Sequence, residues 1–275
     1  MATTIAVLSQ KGGTGKTTVV RTLADVLARL GLEVLAVDLD PQGNLSDYFD
    51  VPADADPTVA DVLAGKARAE EAIHGGVLPA NLGLAEAELM LAGKMGREST
   101  LRRALGSLPD RFDVVLIDCP PSLGLLTVNA VVAADYALIT TAAQYFSMQG
   151  VEQALEVIEL ARDSLNPSLE WLGVVVNIAN LRTTHSRDAI AQLRERFEGN
   201  VFETVVRQSI RYAESAERGI PIVDYSPRSG ADYLALADEL LDRLGRKSER
   251  TRLLKLRAEI APALTPHRTL GRCVP

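Results

Sequence analysis

The stretch Ile5-Ala6-Val7-Leu8-Ser9-Gln10-Lys11-Gly12-Gly13-Thr14-Gly15-Lys16-Thr17-Thr18 decides the fold. Four apolar residues without polar alternation predict a strand buried on both faces, as in a parallel sheet. A glycine-rich polar run follows, and from Thr17 to Leu30 the apolar residues Val20, Leu23, Ala24, Leu27 and Leu30 recur at helical spacing until Gly31 stops the pattern. A strand, a glycine-rich turn and a helix in that order aim successive backbone N–H groups and the positive helix end at one anion. Gly12, Gly13, Thr14 and Gly15 would then cradle phosphates, Lys16 would reach the β and γ groups, Thr17 would bind Mg²⁺ and Thr18 would donate to an inner phosphate. The strict pattern GxxxxGK[ST] fails at one place, where Gln10 stands for the first glycine and Lys11 follows it. A lysine there cannot easily fold back onto phosphates held by its own loop, but it can reach the γ-phosphate of a facing subunit.

Further buried-type runs follow at Val34 to Val37, Val114 to Ile117, Ala137 to Thr140, Gly173 to Val176 and Val201 to Val206, separated by helical patterns. This alternation predicts an α/β fold, a doubly wound and mostly parallel sheet flanked by helices. Two of the runs end in acids, in Asp38-Leu39-Asp40-Pro41-Gln42-Gly43-Asn44 and in Asp118-Cys119-Pro120-Pro121-Ser122. Ligands of open α/β sheets gather outside the carboxyl ends of the strands, so these acids are expected to converge on the loop of Lys11 to Thr18.

Length and composition fit one large globular core: the chain has 275 residues, of which 47% are hydrophobic and 24% charged. The net charge of -7 argues against a nucleic-acid partner until it is divided along the chain. From Gly245 to Pro275 eight bases face two acids, a balance of +6, which leaves the body at -13. We therefore divide the chain into a globular domain built on the glycine-rich loop, residues 1–245, and a basic tail, residues 246–275, in which Ser248 to Ile260 can form a short amphipathic helix and the rest is expected to lack order. The start of the chain has neither the basic region nor the apolar length of a signal peptide. Asn129 and Asp135 interrupt the apolar stretch Leu123 to Ala143, which predicts a helix and a core strand instead of a membrane span. The two cysteines, Cys119 and Cys273, cannot make a disulfide framework and fit a reducing cytoplasm.

The run Lys11 to Thr17 matches the deviant Walker A motif, and here the chain resembles the ParA/MinD superfamily of dimerising ATPases, with a deviant P-loop NTPase fold. The DLDPQGN stretch, Asp118 to Ala130 and the stretch Ile210 to Ile222 are similar to the ParA/Soj partition branch, and the resemblance covers about residues 3 to 244. It implies a slow ATPase with ATP and Mg²⁺ as cofactors. The implied catalytic residues are Lys16 in cis, Lys11 in trans on the partner's nucleotide and Asp40, which orients the attacking water; Thr17, Asp118 and Asp38 would serve Mg²⁺. A cation placed by dimerisation makes turnover conditional on assembly, as an arginine finger does. The resemblance further implies an ATP-dependent homodimer that binds nonspecific double-stranded DNA, a ParB-type activator, a nucleoid-associated place in the cytoplasm and a role in chromosome or plasmid partition. The chain reaches its first strand at Ile5 without a preceding helix-turn-helix module, so operator binding is not expected.

The chain departs from the family where Arg207-Gln208 replaces a Pro-Arg pair and where Asn177-Ile178-Ala179-Asn180 replaces a Thr-Met-Tyr-Asp run. Asn177 and Arg207 are accordingly the candidates at the adenine. Thr140, Ala142 and Gln144 replace Pro, Gln and Glu before Gly150. DNA binding requires cations that release phosphate counterions, and Arg182 to Arg228 holds eight arginines with seven acids. Arg211 and Arg228 are the first candidates and Arg207 the next. Two other readings use the same fold: a MinD-like positioning ATPase whose tail helix lies on anionic lipid, and a ParA-like ATPase that positions a protein cargo. A cluster-bridging reductase would need two suitably placed cysteines, which Cys119 and Cys273 do not supply. Lys16→Ala should abolish nucleotide binding, read by calorimetric titration with ADP and with ATP; retained affinity in the wild-type range would remove Lys16 from the phosphate site.

Overall fold

A computed structural model describes residues 2–108, 110–144 and 147–260. The elements run β1 (Thr3–Leu8), α1 (Lys16–Arg29), β2 (Val34–Asp38), α2 (Asn44–Tyr48), α3 (Val59–Ala64), β3 (Val77–Leu78), α4 (Gly83–Leu91), α5 (Thr100–Gly106), β4 (Val114–Asp118) and α6 (Leu125–Ala133). They continue through β5 (Tyr136–Ala142), α7 (Ser147–Ser164), β6 (Glu170–Ala179), α8 (Thr184–Arg196), β7 (Val201–Arg207), α9 (Arg211–Glu217), α10 (Ile222–Tyr225), α11 (Pro227–Arg243) and α12 (Lys247–Ile260). All neighbouring strands pair in parallel, in the order β3-β2-β4-β1-β5-β6-β7. The predicted α/β class is the observed one. The sheet adds β3, whose two residues are too few for a periodic signal.

Strand periodicity builds two cores, one on each face. Ala6 and Leu8 of β1, with Leu35 and Val37 of β2, belong to the cluster under α3 to α7. Ile5, Val7 and Ala36 belong to the opposite cluster under α1 and α11. Each fully buried aliphatic side chain contributes about 1.5–3 kcal/mol of transfer free energy, so both faces hold the strands in register and a one-residue slip would exchange the two sets. Helix α1 ends where predicted: Gly31 adopts φ 79, and its N–H donates to the Ala28 carbonyl at 2.8 Å. Only a residue at ease in the left-handed region closes the helix this way.

The division at 245 does not separate helix α12 from the body. Leu253 is fully buried in the α1/α11 cluster, and Leu256 and Ile260 pack against it. The arginines of this segment are spent on the same docking. Arg250 pairs with Asp238 at 2.7 Å and with Asp242, Arg252 donates to the Leu30 carbonyl, and Arg246 donates to Thr3 Oγ1 at 2.6 Å. The expectation for residues 261–275 lies outside the described residues. Leu253→Ala should lower stability by about 2–4 kcal/mol in urea denaturation, the range of buried leucine truncations; an unchanged midpoint would mean that α12 is not held on the body in solution.

Candidate nucleotide site

Three adjacent strands, in the order β2-β4-β1, deliver the site from their carboxyl ends. Their pairing sets Asp38 beside Asp118 and Asp118 beside Val7, the second-last residue before the glycine-rich loop. Asp118 therefore lies between that loop and the turn carrying Asp40. The predicted convergence is observed, and its cause is strand order: β4 returns between β2 and β1.

The loop's shape rests on glycine and on a buried amide. Gly15 caps α1 at φ 81 without a side-chain cap, and a Cβ there would approach Asn177 Nδ2 to 3.1 Å. Asn177 donates from Nδ2 to the Thr14 carbonyl at 3.0 Å, while its Oδ1 is buried without a hydrogen-bond partner. Thr14 Oγ1 meets Thr140 Oγ1 at 3.2 Å. These contacts fasten the loop to β5 and β6 and leave the first N–H groups of α1 for an anion.

The two lysines face different spaces. Lys16, 6% exposed, lines a cleft of about 580 Å³ together with Gly12, Gly13, Gly15, Thr17, Thr18 and Asp40. Lys11 is exposed and lines a separate recess of about 200 Å³ with Ser9, Gln10, Thr14, Thr140, Thr141, Ala142, Gln144 and Gly150. Its Nζ donates to Gln144 Oε1 at 3.4 Å. The cleft also takes in Arg21 and Thr22 of α1, Asp47 and Tyr48 of α2, and Tyr212 and Ser215 of α9. No motif marks these residues, although Thr18, Arg21 and Thr22 follow the i, i+3, i+4 spacing that puts them on one helix face. Arg21 stacks on the Tyr48 ring, and burial lowers its pKa to about 9, with Asp25 and Asp50 opposing the shift.

The acids divide their work. Asp118 is 1% exposed, and among the described residues neither carboxylate oxygen meets a donor at full hydrogen-bond geometry, although the Thr17 hydroxyl stands near it. Burial raises its pKa from 3.8 to about 8; Asp38 adds to the rise, and Thr17 and Lys16 act against it. A buried carboxylate with free lone pairs next to a threonine and a lysine fits a hard cation. Among the described residues no three His, Cys, Asp or Glu side chains group as a metal cage. Mg²⁺ is usually held by one or two protein oxygens together with substrate phosphates, and the Asp118 carboxylate beside Thr17 offers such oxygens. Asp38, expected to support the Mg²⁺ shell, has most of its carboxylate engaged within the chain. It is fully buried, and its two oxygens already accept three hydrogen bonds, from Asp40 N at 3.0 Å, Ser46 N at 2.9 Å and Ser46 Oγ at 2.7 Å. Burial raises its pKa to about 6 against these bonds. Asp38 is thus the anchor of the β2–α2 turn, while Asp40 stands half-buried at the cleft wall.

Arg207 is held by an acid of α11. Its guanidinium is paired with Asp232 at 2.7 Å, and it lines the groove between α8 and β7 with Arg187 and Arg194; it does not line the P-loop cleft. Arg211 and Arg228 are exposed. Arg207 Nη2 donates to the Arg228 carbonyl at 3.5 Å and Ser209 Oγ lies 3.3 Å from Ser229 Oγ, so the starts of α9 and α11 bring the three arginines to one corner. Arg211 there pairs with Glu214 at 2.7 Å. Cys119 is fully buried, which pushes its thiol well above the usual range, and Cys273 lies outside the described residues.

A strand, a glycine-rich loop and a helix, with a buried acid at the end of the adjacent strand, define a P-loop nucleotide site. Known proteins agree. The family model for an AAA domain matches residues 2–171. The chromosome-partitioning ATPase Soj of Thermus thermophilus is 40% identical over 87% of this chain and 96% of its own length. The chromosome partitioning protein ParA of Myxococcus xanthus is 36% identical over 90% of this chain and 91% of its own. Among solved structures, cobyrinic acid a,c-diamide synthase from Mycobacterium smegmatis with bound ADP and magnesium is 38% identical, with a TM-score of 0.73 over 79% of this chain and 93% of that one. The name of that structure belongs to another activity, and a shared fold does not choose between activities. The chain belongs to the ParA/MinD family of ATPases.

Asp118 makes stability depend on pH. Its raised pKa means that the folded state holds a proton which the unfolded chain releases; the resulting cost is absent below 3.8, grows as pH rises and is complete above about 8. Asp118→Asn should therefore raise the melting temperature of the nucleotide-free protein more at about pH 9 than at about pH 5, and should remove most of the extra stabilisation by Mg²⁺-ADP over ADP alone. Equal gains at both pH values would contradict the buried, raised carboxyl.

Proposed function

We propose that this chain is a partition ATPase that binds ATP and Mg²⁺ on the loop of Gly12 to Thr18, pairs as an ATP-dependent homodimer and holds nonspecific double-stranded DNA until a ParB-type activator triggers hydrolysis. The observation that carries the reading is the separation of the lysines. Lys16 lines the cleft of the chain's own phosphate loop, whereas Lys11 points into another recess walled by Thr140, Ala142 and Gln144. A cation on that side serves a facing subunit's γ-phosphate more readily than its own.

Within one subunit, the loop N–H groups and Lys16 bind the phosphates, Thr17 and Asp118 hold the metal, and Asp40 orients water. Bound Mg²⁺ neutralises charge on the phosphate oxygens. Lys11 of one subunit adds positive charge at the other's transferring group, so turnover follows pairing. Asn177 Oδ1, a buried acceptor without a partner, suits an exocyclic amine of the base. Turnover is slow without the activator because positioning, and no strong general base, carries the reaction.

Arg211 and Arg228, with Arg207 more constrained by Asp232, form the corner that pairing would double. A membrane role draws less support. The apolar side of α12 faces α11, and among the described residues no helix is long and apolar enough to cross a membrane.

Retention on plasmid DNA with ATP, with ADP and without nucleotide tests the switch. ATP should give salt-sensitive retention, Arg211→Glu should reduce it at least about tenfold, and Lys11→Ala should leave ADP binding intact while weakening ATP-dependent pairing. Retention indifferent to nucleotide would sink the proposal, and ATP-dependent flotation with anionic liposomes in place of DNA retention would favour the MinD-like alternative.

A further inference from the structure

A polar chain under the β2–α2 turn does not touch the nucleotide cleft, yet it determines where Asp40 stands. Asp38, at the end of β2, accepts the Asp40 N–H on Oδ1 at 3.0 Å. Its Oδ2 accepts both the N–H and the hydroxyl of Ser46, at 2.9 and 2.7 Å. Ser46 Oγ in turn accepts the Ala80 N–H at 2.9 Å, from the connection that follows β3. Because Oγ is an acceptor toward Ala80, its own proton is committed to Asp38. Ser46 is 4% exposed and Asp38 is fully buried, so water does not compete for these bonds. The backbone completes the ring: Gly43 N donates to the Asp40 carbonyl at 2.9 Å, and a Cβ on Gly43 would approach the Ala80 carbonyl oxygen to 3.1 Å. Gln42 N donates to Asp40 Oδ1 at 3.0 Å, which holds the side chain itself.

We propose that Ser46 is a positioning residue for Asp40: its hydroxyl, clamped between the Asp38 carboxylate and the Ala80 amide, ties the β2–α2 turn to the β3–α4 connection and so fixes the Asp40 carboxylate at the cleft wall. The inference rests on the reading of Asp40 as the water-orienting acid. Hydrolysis that depends on positioning is sensitive to small displacements, and a shift of about 1 Å can cost on the order of 100-fold. Neighbouring residues on the same turn, Asp47 and Tyr48, face the cleft, whereas Ser46 faces inward. Its loss should therefore leave the binding surface in place and move only what it anchors.

The test combines turnover, affinity and a double-mutant cycle. Ser46→Ala should lower the single-turnover rate of ATP hydrolysis by about 10- to 100-fold, leave ADP affinity within about twofold and raise hydrogen exchange at the Asp40 and Ala80 amides. Ser46→Thr, which keeps the hydroxyl, should restore most of the rate. Ser46→Cys, similar in volume but a weak donor, should move rate and exchange in the direction of the alanine variant and serves if that variant does not fold. In an Asp40→Ala background, Ser46→Ala should add no further loss, because both changes remove one function. A wild-type rate in Ser46→Ala, an equal loss in both backgrounds, or failure of threonine to rescue would overturn the proposal. Wild-type hydrolysis by Asp40→Ala would instead overturn the underlying reading of Asp40, whatever Ser46 does.

Discussion

Two carboxylates, Asp38 and Asp118, stand side by side at the ends of adjacent parallel strands, both out of water. Like charges in a medium of low polarity repel strongly, and each also loses its hydration. The surrounding structure answers in two ways. Asp38 is satisfied internally, by three hydrogen bonds from its own turn. Asp118, among the described residues, has no donor at full hydrogen-bond geometry, and its charged form is favoured by nearby Thr17 and Lys16. That leaves one acid as scaffold and the other with unmet demand for positive charge. In the proposed function a nucleotide bound with its cation would supply that charge, coupling ligand binding to the stability of the strand ends.

The same logic of separation governs the glycine-rich loop. Its underside is fixed by Asn177 and Thr140, side chains from β6 and β5, so its upper amides need not be used for holding the loop together. With the loop pinned from below, Lys16 enters the cleft and Lys11 leaves it on the other side. One short sequence thereby offers a cation to each of two spaces. The C-terminal helix contributes through burial: Leu253 and the arginines around it close the face of α1 and α11, so positive charge that looked available in the sequence is consumed by Asp238, Asp242 and backbone carbonyls.

Several features were legible in the chain because they are local. The strand before the loop, the stop of α1 at Gly31 and the acids at strand ends follow from apolar periodicity and from glycine's access to positive φ. The pairing of Arg207 was not legible because its partner, Asp232, lies 25 residues away on α11, and spacing says nothing of such a pair. A motif marks Asp38 as an acid near the phosphates, but not that its oxygens accept from the Asp40 amide and from Ser46, eight residues on, whose hydroxyl is itself fixed by Ala80. Arg21 and Tyr48 at the cleft went unread since their meeting depends on how α2 packs against α1. The net charge of -7 is silent on this for the same reason: a sum over residues carries no information on which charges are paired.

By itself the sequence determined the parallel α/β class, the phosphate loop and the family, because each rests on contacts within a few residues or on a run of residue types that only one local geometry accommodates. Tertiary structure decided the rest. Strand order placed Asp118 between the loop and Asp40, the packing of β5 and β6 sent the two lysines into separate spaces, and docking made α12, the described part of the basic tail, a wall of the core. These outcomes depend on partners tens to hundreds of residues apart, whose attraction exists only once the sheet has brought them out of water and within reach.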